Sequence, residues 1–344
     1  MRLAVHPFGK YSHRQPFAYA PIQQACADTV QVTDRFEDAD VVIVAHFKDI
    51  VAHGDMLKRR LRHDQRLVLL SEEPFWDSVW ANTPLKKQNG FQTESGWLPF
   101  TYLNHHTSRI YAFDYIPYFL LTNEDYTRRY REWFERNALL TRDDWRNNFK
   151  QTSIDIVFLA EYRNENRFDI QYPQGDILGL STLRTQIALK CSAPRKVVSG
   201  TGWQAGFRRQ QLSDWHLDKF QTYDGRCRFF SAIENTHQPD YVSEKIFDAY
   251  ALGAVPVYIA GPQHRVRQFA VQNSWVNLWG LTPDAADTAL NSFRFDDDFL
   301  SAYMHSQLQM ALLFGAPTYR QRELKRLKTA LLGELVSALT EKLI

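Results

Sequence analysis

The sequence predicts an α/β protein with two domains, each built on a parallel β-sheet, and three observations support this. Short β-branched or aliphatic runs alternate with longer stretches of helical periodicity, which is typical of βα units. The chain has 344 residues, more than one hydrophobic core usually takes in, so two domains are expected. Its composition, 44% hydrophobic and 23% charged, is that of a globular protein with a sizeable buried core.

The N-terminal half contains five short runs that are predicted strands. They are Leu3–His6, Thr29–Val32, Val41–Ala45, Arg66–Leu70 and Arg109–Phe113. The third run is apolar throughout, which predicts a strand buried on both faces of a parallel sheet. Helices are predicted around Gln23 and over Val51–Arg62, where apolar residues recur at helical spacing.

A second series of strands begins near Ile154. Its members are Ile154–Ala160, Arg195–Ser199, Arg226–Ile233 and Val255–Ile259. The charged and aromatic stretch Glu124–Phe149 between the two series predicts a helix and an exposed connection. We therefore place the domain boundary at its end, which gives domains of residues 1–150 and 151–318.

The chain is predicted to be helical from Asp297 onward, and residues 319–344 form an amphipathic terminal helix. Its apolar stripe consists of leucines at spacings of three and four: Leu324, Leu327, Leu331, Leu335 and Leu339. We expect this stripe to pack on the protein or on a partner helix rather than on lipid.

Charge and cysteine content exclude several classes of protein. The 41 Lys and Arg nearly balance the 39 Asp and Glu, which excludes a non-specific nucleic-acid-binding protein. Cys26, Cys191 and Cys227 cannot all pair, and none lies in a zinc-binding motif, so a reducing compartment is expected. Neither a secretory signal nor a membrane-spanning run is visible, which predicts a cytoplasmic protein, with contact to a membrane surface left open.

Common catalytic motifs are absent from the sequence, namely the phosphate-binding loop, HExxH and GxSxG. Gly200-Thr201-Gly202 does not continue as GxGxxG, so it predicts a tight turn where a ligand can approach the backbone. Asp38-Ala39-Asp40 and Asp296-Asp297-Asp298 are interpreted as a turn and a helix cap, and no metal site is predicted.

The stretch Phe229–Tyr258 carries the most specific pattern of the chain, predicted as strand, loop, helix and strand. Asp240 is the predicted N-cap of this helix, which places Lys245 in its first turns. A cation opposes the positive end of the helix dipole unless an anion lies between them, and a phosphate could be that anion. The structural alternative is an exposed Glu244–Lys245 pair on a solvated face.

These residues resemble a known family. Glu234-Asn235, then Asp240-Tyr241-Val242-Ser243-Glu244-Lys245, then Gly253-Ala254-Val255-Pro256 are similar to the donor-binding signature of the inverting α-1,3/4-fucosyltransferases. The resemblance implies a GT-B fold, with two Rossmann-like domains facing each other across a cleft. It also implies GDP-β-L-fucose as donor in the second domain and a glycan acceptor in the first. No obligatory metal or other cofactor is expected.

The resemblance also implies roles for individual residues. Donor contacts are expected from Asn235, Tyr241, Glu244 and Lys245. Ser71-Glu72-Glu73-Pro74 follows the fourth strand and resembles the family's Glu-Ser-Pro element, with Glu73 in place of the serine. Alignment on Pro74 makes Glu72 the expected general base and leaves Glu73 as its neighbour and rival. The structural alternative for both is capping of the segment that Pro74 begins.

An arginine that grips the diphosphate is also implied by the resemblance. Arg184 is its best match, with Arg163 and Arg167 as alternatives. Trp76 and Trp203 are weaker candidates, as flat faces for sugar rings. Two other functions stay open at this stage: transfer of another sugar from another nucleotide donor, and a non-catalytic protein that binds a nucleotide sugar or a glycan.

Overall fold

The computed structural model describes residues 2–81, 83–203 and 211–341. They divide into two compact units. Unit 1 comprises the residues up to 124 together with those from 318 onward, and unit 2 comprises residues 125–317.

Unit 1 is built on a six-stranded sheet. Its strands are β1 (Leu3–Phe8), β2 (Val30–Val32), β3 (Val41–Val44), β4 (Arg66–Leu70), β5 (Gln88–Thr93) and β6 (Gly96–Leu103), and its helices are α1 (Ala20–Cys26), α2 (Phe47–Arg60) and α3 (Pro74–Trp80). The strand order is β2-β1-β3-β4-β6-β5, and only β5 runs antiparallel to its neighbour. All four residues of β3 are fully buried, because helices cover both faces of a parallel sheet.

The first helices of unit 2 are α4 (Glu124–Ala138), which begins one residue before the unit boundary, and α5 (Arg142–Gln151). The strands are β7 (Ile154–Leu159), β8 (Gln171–Tyr172), β9 (Ile177–Gly179), β10 (Lys196–Ser199), β11 (Cys227–Ser231), β12 (Thr236–His237), β13 (Val255–Tyr258) and β14 (Val276–Asn277). The remaining helices of the chain are α6 (Ser181–Lys190), α7 (Trp215–Tyr223), α8 (Glu244–Ala251), α9 (Pro283–Ser292), α10 (Asp297–Gly315) and α11 (Pro317–Thr340).

The main sheet of unit 2 is parallel throughout, with the order β10-β7-β11-β13-β14. A second, small sheet is antiparallel and has the order β12-β9-β8. Its strand β9 directly precedes α6 in the chain. The predicted α/β class with two parallel-rich sheets is confirmed. Eight of the nine predicted strands form, within one or two residues of their predicted limits.

The division of the chain differs from the predicted limits of 1–150, 151–318 and 319–344. The segment predicted as a helix and an exposed connection forms α4 and α5, and α4 packs on unit 2 through aromatic side chains. The ring of Trp133 stacks on Phe220 at 3.8 Å, and Tyr130 and Phe134 contact Phe314. The boundary therefore lies at the start of α4, because burial of these rings attaches the helix to the second unit.

The terminal helix α11 is an integral part of unit 1 rather than a separate segment. Leu327, Leu331 and Leu335 are fully buried, as the leucine stripe predicts. Glu323, also buried, accepts hydrogen bonds of 2.6 Å from the backbone N–H groups of Asp114 and Tyr115. Helix α11 therefore contributes buried residues to the core of unit 1.

The predicted strand Arg109–Phe113 is wrong. Side chains of α11 hydrogen-bond the backbone of this segment instead of a strand partner: Arg326 donates to the carbonyls of Arg109 and Ile110, and Glu334 accepts from the Arg109 N–H. The strand that pairs with β4 is β6, which forms a hairpin with β5. Neither strand was among those predicted. Gly96 closes that hairpin with a φ of 110°, which favours glycine.

No helix in the described ranges combines the length and the apolar composition that crossing a bilayer requires.

Candidate active site

Both main sheets have a topological switch point, the place where an open α/β sheet binds ligands. In unit 2, β10 lies on one side of β7 in the sheet and β11 lies on the other side, so the strand order reverses at β7. Ligands of such sheets lie beyond the carboxyl ends of the strands that flank this point. The segments that follow β7 and β11 are therefore where a ligand of unit 2 is expected.

Helix α8 follows β11 and carries Glu244 and Lys245 in its first turn. It begins at Glu244 with Ser243 as the N-cap residue, so the prediction that Asp240 caps this helix is wrong. Asp240 instead lies 3.7 Å from Arg265. Tyr241 is buried, whereas the side chains of Glu244 and Lys245 are 12% and 22% exposed, which leaves both accessible.

The start of α8 already holds an anion, the buried carboxylate of Glu234. It accepts a hydrogen bond of 2.9 Å from the Ser243 N–H, bonds from the Ser243 hydroxyl, and one of 2.8 Å from the Lys245 ammonium. Glu234 is therefore the counter-ion that allows a lysine in the first turn of a helix. Glu234 lies within the motif, but its role as counter-ion was not predicted, since a carboxylate eleven residues before a lysine carries no periodic signal.

Arg184 lies in the first turns of α6 and reaches the loop after β11. Its Nη1 donates to the Ile233 carbonyl at 3.2 Å and to Asn235 Oδ1 at 3.1 Å, so Arg184 and Asn235 are in direct contact. The guanidinium is buried, and its Nε has no hydrogen-bond partner within the described part of the chain. Burial, together with the charge of nearby Arg163, lowers the pKa of Arg184 to about 10, so it stays protonated at neutral pH.

The two alternatives to Arg184 have different surroundings. Arg163 follows β7, its side chain is 11% exposed, and its N–H donates to the Thr185 hydroxyl of α6 at 3.1 Å. It also forms an ion pair with Glu161. Arg167 is exposed, pairs with Glu165 and lies over the ring of Phe168. The structure therefore brings Arg163 and Arg184 together and leaves Arg167 on the surface.

The turn at Gly200-Thr201-Gly202 lies at the same edge of the sheet, after β10. Gly200 and Gly202 have φ values of 139° and 87°, and a side chain on Gly200 would clash with the Ala160 carbonyl. The predicted tight turn is confirmed. The rings of Trp203 and Tyr162 pack edge to face, with their centres 4.9 Å apart. Tyr162 is the residue before Arg163 in the chain.

In unit 1, Glu72 lies directly after β4 and is buried. Its Oε1 accepts a hydrogen bond from the Tyr19 hydroxyl and its Oε2 one from the Tyr118 hydroxyl, each 2.7 Å long. Burial raises the pKa of Glu72 to about 7, although both tyrosine hydrogen bonds act in the opposite direction. Behind it, His105 donates from Nε2 to the Glu72 carbonyl at 2.7 Å.

Glu73 is the N-cap residue of α3 by position, but its side chain does not cap the helix. It is half-buried, in contrast to Glu72. Trp76 lies one turn further along α3, where its ring is 6.0 Å from that of His46. The two carboxylates therefore differ: Glu72 is buried and accepts hydrogen bonds from two hydroxyls, whereas Glu73 is half-buried.

Both Asp-x-Asp segments have structural roles. Asp40 accepts a hydrogen bond of 2.8 Å from the Ala4 N–H, and Asp296 caps α10 by accepting one of 2.9 Å from the Phe299 N–H. The three cysteines are free and buried. Within the ranges that the structure covers, no group of three or more His, Cys, Asp or Glu side chains could hold a metal ion.

Comparison with known families gives a match over the segment that contains α8. Residues 202–310 match the model of the glycosyltransferase family 10 (fucosyltransferase) C-terminal domain. This segment is similar to the family 10 fucosyltransferase C-terminal domain. The match confirms the family that the motif around Lys245 resembles, and it identifies the chain as an enzyme, a glycosyltransferase. Asn235, Tyr241, Glu244 and Lys245 lie within the family 10 segment, whereas Glu72 and Arg184 lie outside it.

Two of the solved structures that match the chain are described as α1,3-fucosyltransferases. One, with GDP-fucose, is 14% identical with a TM-score of 0.46, and the match covers 100% of this chain and 91% of that chain. A second, with GDP, is 16% identical with a TM-score of 0.46, over 99% of this chain and 91% of the other. Among curated proteins, none matches the chain.

Proposed function

We propose that this fucosyltransferase transfers L-fucose from GDP-β-L-fucose, with inversion, to a hydroxyl of a glycan that ends in galactose or N-acetylglucosamine. The family 10 domain supports fucosyl transfer. The observation that favours a nucleoside diphosphate at this edge of unit 2 is the buried guanidinium of Arg184.

Arg184 carries a charge that its surroundings do not neutralise. Its hydrogen bonds go to neutral oxygens of Ile233 and Asn235, and no carboxylate of the described chain lies within ion-pair distance. Glu234 and Glu161 act on it from further away, and Arg163 adds a second positive charge. A buried, uncompensated cation is costly, and a bound diphosphate would supply both the missing charge and the missing acceptor for Nε.

Lys245 is proposed as a second contact to the leaving group. Its ammonium is held by Glu234, which fixes its direction and prevents it from swinging away from the start of α8. A lysine ammonium has three donor hydrogens, and Lys245 donates to Glu234 and to the Ser243 hydroxyl, so a phosphate oxygen would add to these contacts or replace one of them. Asn235, Tyr241 and Glu244 complete the proposed donor site, with Glu244 as an acceptor for sugar or ribose hydroxyls.

Inversion requires a single in-line displacement, which needs a base for the acceptor hydroxyl and stabilisation of the departing GDP. We assign the base to Glu72, because a carboxyl with a pKa near 7 is a better proton acceptor than one of ordinary pKa. Arg184 and Lys245 would stabilise the negative charge that grows on the diphosphate, which other glycosyltransferases neutralise with a divalent ion. We therefore propose transfer without an obligatory metal or cofactor.

The transfer assay measures GDP release from GDP-fucose with an array of acceptors that end in galactose or N-acetylglucosamine, in the presence of EDTA. We expect release that depends on an acceptor and is unchanged by EDTA. A panel of other GDP- and UDP-sugars in the same assay separates fucosyl transfer from transfer of another sugar. Binding of GDP with no turnover of any donor would instead indicate a non-catalytic binding protein.

The Arg184→Lys variant tests the diphosphate contact. Lysine keeps the charge but loses the planar fork of donors, so we expect the affinity for GDP, measured by calorimetry, to fall at least about 10-fold. The matched control is Arg167→Lys on the exposed arginine, for which GDP affinity should stay unchanged. Equal affinities of both variants and the wild type would remove Arg184 from the donor site.

A further inference from the structure

Unit 1 has a cluster of aromatic and cationic side chains at the carboxyl ends of three adjacent strands. We call it the Arg14 cluster, and it consists of Tyr11, Arg14, His46, Lys48, Trp76 and Trp80. These residues follow β1, β3 and β4, which are neighbours in the sheet. The ring of His46 is central, 4.5 Å from Tyr11, 6.0 Å from Trp76 and 6.5 Å from Trp80.

Two cations lie over the tryptophan rings of this cluster. The Lys48 ammonium is 3.8 Å from the ring centre of Trp80, and the Arg14 guanidinium carbon is 5.9 Å from that of Trp76. Both cationic side chains are half-buried. Neither makes an ion pair with an acidic side chain in the portion of the chain that the structure covers.

Two nearby carboxylates have other hydrogen-bond partners. Asp49 accepts hydrogen bonds from the N–H groups of Lys10 and Tyr11, and Glu72 accepts from two tyrosine hydroxyls. The two cations also act on the central imidazole. Burial, together with the charges of Lys48 and Arg14, lowers the pKa of His46 to about 4, so His46 is neutral at physiological pH.

The cluster is also close to the proposed base. Arg14 is near enough to influence both Glu72 and Tyr19, and the Tyr19 hydroxyl donates to Glu72. A molecule held by the cluster would therefore lie beside the carboxylate that we assign to proton transfer. Tryptophan faces suit the apolar face of a sugar ring, while arginine and lysine suit a carboxylate or a phosphate.

We propose that Arg14 and Lys48, with the rings of Trp76 and Trp80, bind an anionic group of the acceptor glycan, which would make this enzyme selective for carboxylated or phosphorylated sugars. The inference rests on the proposed function, because it assigns the acceptor to unit 1. It goes beyond that function by naming the chemical class of the acceptor.

The experiment measures direct binding of three matched probes to the full chain by ligand-observed NMR. The probes are methyl β-galactoside, methyl β-galacturonoside and methyl β-galactoside 6-phosphate, which share one ring and differ in charge. We expect at least about 10-fold tighter binding of a charged probe than of the neutral one, weakened by added salt. The better of the two charged probes then distinguishes a carboxylate from a phosphate.

The variants Arg14→Gln and Lys48→Gln should each remove most of this preference and leave the affinity for the neutral probe unchanged. The matched control is Lys58→Gln, an exposed lysine in the last turn of α2, at the opposite end of the helix from Lys48. Equal binding of all three probes, failure of all three to bind, or an equal loss for every probe in the two variants would overturn the inference.

GDP binding, measured on the same preparations, separates this inference from the proposed function. Normal GDP affinity shows that unit 2 of each variant is folded, and unchanged affinity for the neutral probe shows the same for unit 1. Turnover of GDP-fucose with neutral acceptors only, at normal GDP affinity, would refute the anionic acceptor and leave fucosyl transfer intact. Absence of GDP binding in the wild type would refute the proposed function itself.

Discussion

Glu72 shows how the surroundings of a single side chain decide its chemistry. Burial favours the neutral carboxyl, while the hydroxyls of Tyr19 and Tyr118 favour the carboxylate, and burial prevails to give a pKa of about 7. Glu73 has the same side chain one position later but is only half-buried. Neighbours in sequence therefore differ in their capacity to take a proton near neutral pH.

The pH dependence of transfer follows from this pKa. The ionised carboxylate is the base, so activity at limiting substrate should rise as the pH increases through about 7. We expect Glu72→Gln to lower the rate by about 10²- to 10⁴-fold without changing GDP affinity, and Glu73→Gln to lower it less than about 10-fold. A larger loss in the Glu73 variant would transfer the role of base to that residue.

Stability should show the opposite dependence on pH. The folded-state pKa of Glu72 lies above its ordinary value of 4.5. The contribution of Glu72 to the stability of the fold is therefore fully present below pH 4.5 and is lost as the pH rises through about 7. Glu72→Gln should therefore melt at a higher temperature than the wild type at pH 8. The two proteins should melt at similar temperatures near pH 4.

At the scale of elements, α8 is held at both its start and its middle by charges from other segments. Glu234 binds its first turn, and Asp248 accepts hydrogen bonds from Tyr130 of α4 and from His216 and Lys219 of α7. Burial opposes ionisation of Asp248, but the charges of Lys219 and His216 outweigh it and keep the pKa of this carboxyl well below its ordinary value. This network fixes the helix that carries Glu244 and Lys245.

Removal of that anchor should destabilise unit 2. Asp248→Asn leaves Lys219, whose side chain is 11% exposed, without its counter-charge, and we expect a loss of about 3 kcal/mol or more in the free energy of unfolding, measured with urea. Asp224→Asn is the matched control, because Asp224 pairs with the half-exposed Arg136, where less than about 1 kcal/mol is expected. Similar losses in both variants would contradict an anchoring role for Asp248.

At the scale of the whole molecule, the two ends of the chain belong to one unit. The leucine stripe of α11 completes the core of unit 1, although unit 2 separates the two in sequence. The core of unit 1 therefore includes the buried leucines of α11. This connection makes the terminal helix part of the domain in which we place the acceptor.

Truncation of one buried leucine tests this organisation. Leu331→Ala should lower the free energy of unfolding by about 2–5 kcal/mol, because the side chain is fully buried and leaves a cavity. Val336 lies on the same helix but is 45% exposed, so Val336→Ala should lower the free energy of unfolding by less than about 1 kcal/mol. A mild effect at Leu331 would mean that α11 is dispensable for unit 1.

The sequence by itself determined the α/β class, eight strands, the helical C-terminus and the motif of the family 10 domain. These features depend on periodicity and on residues that are adjacent in the chain. Tertiary structure alone decided that Glu234 neutralises Lys245, that Arg163 and Arg184 lie together, and that α4 and α11 join different units. The physical reason is that burial and charge pairing depend on segments far apart in sequence, whose approach no local pattern records.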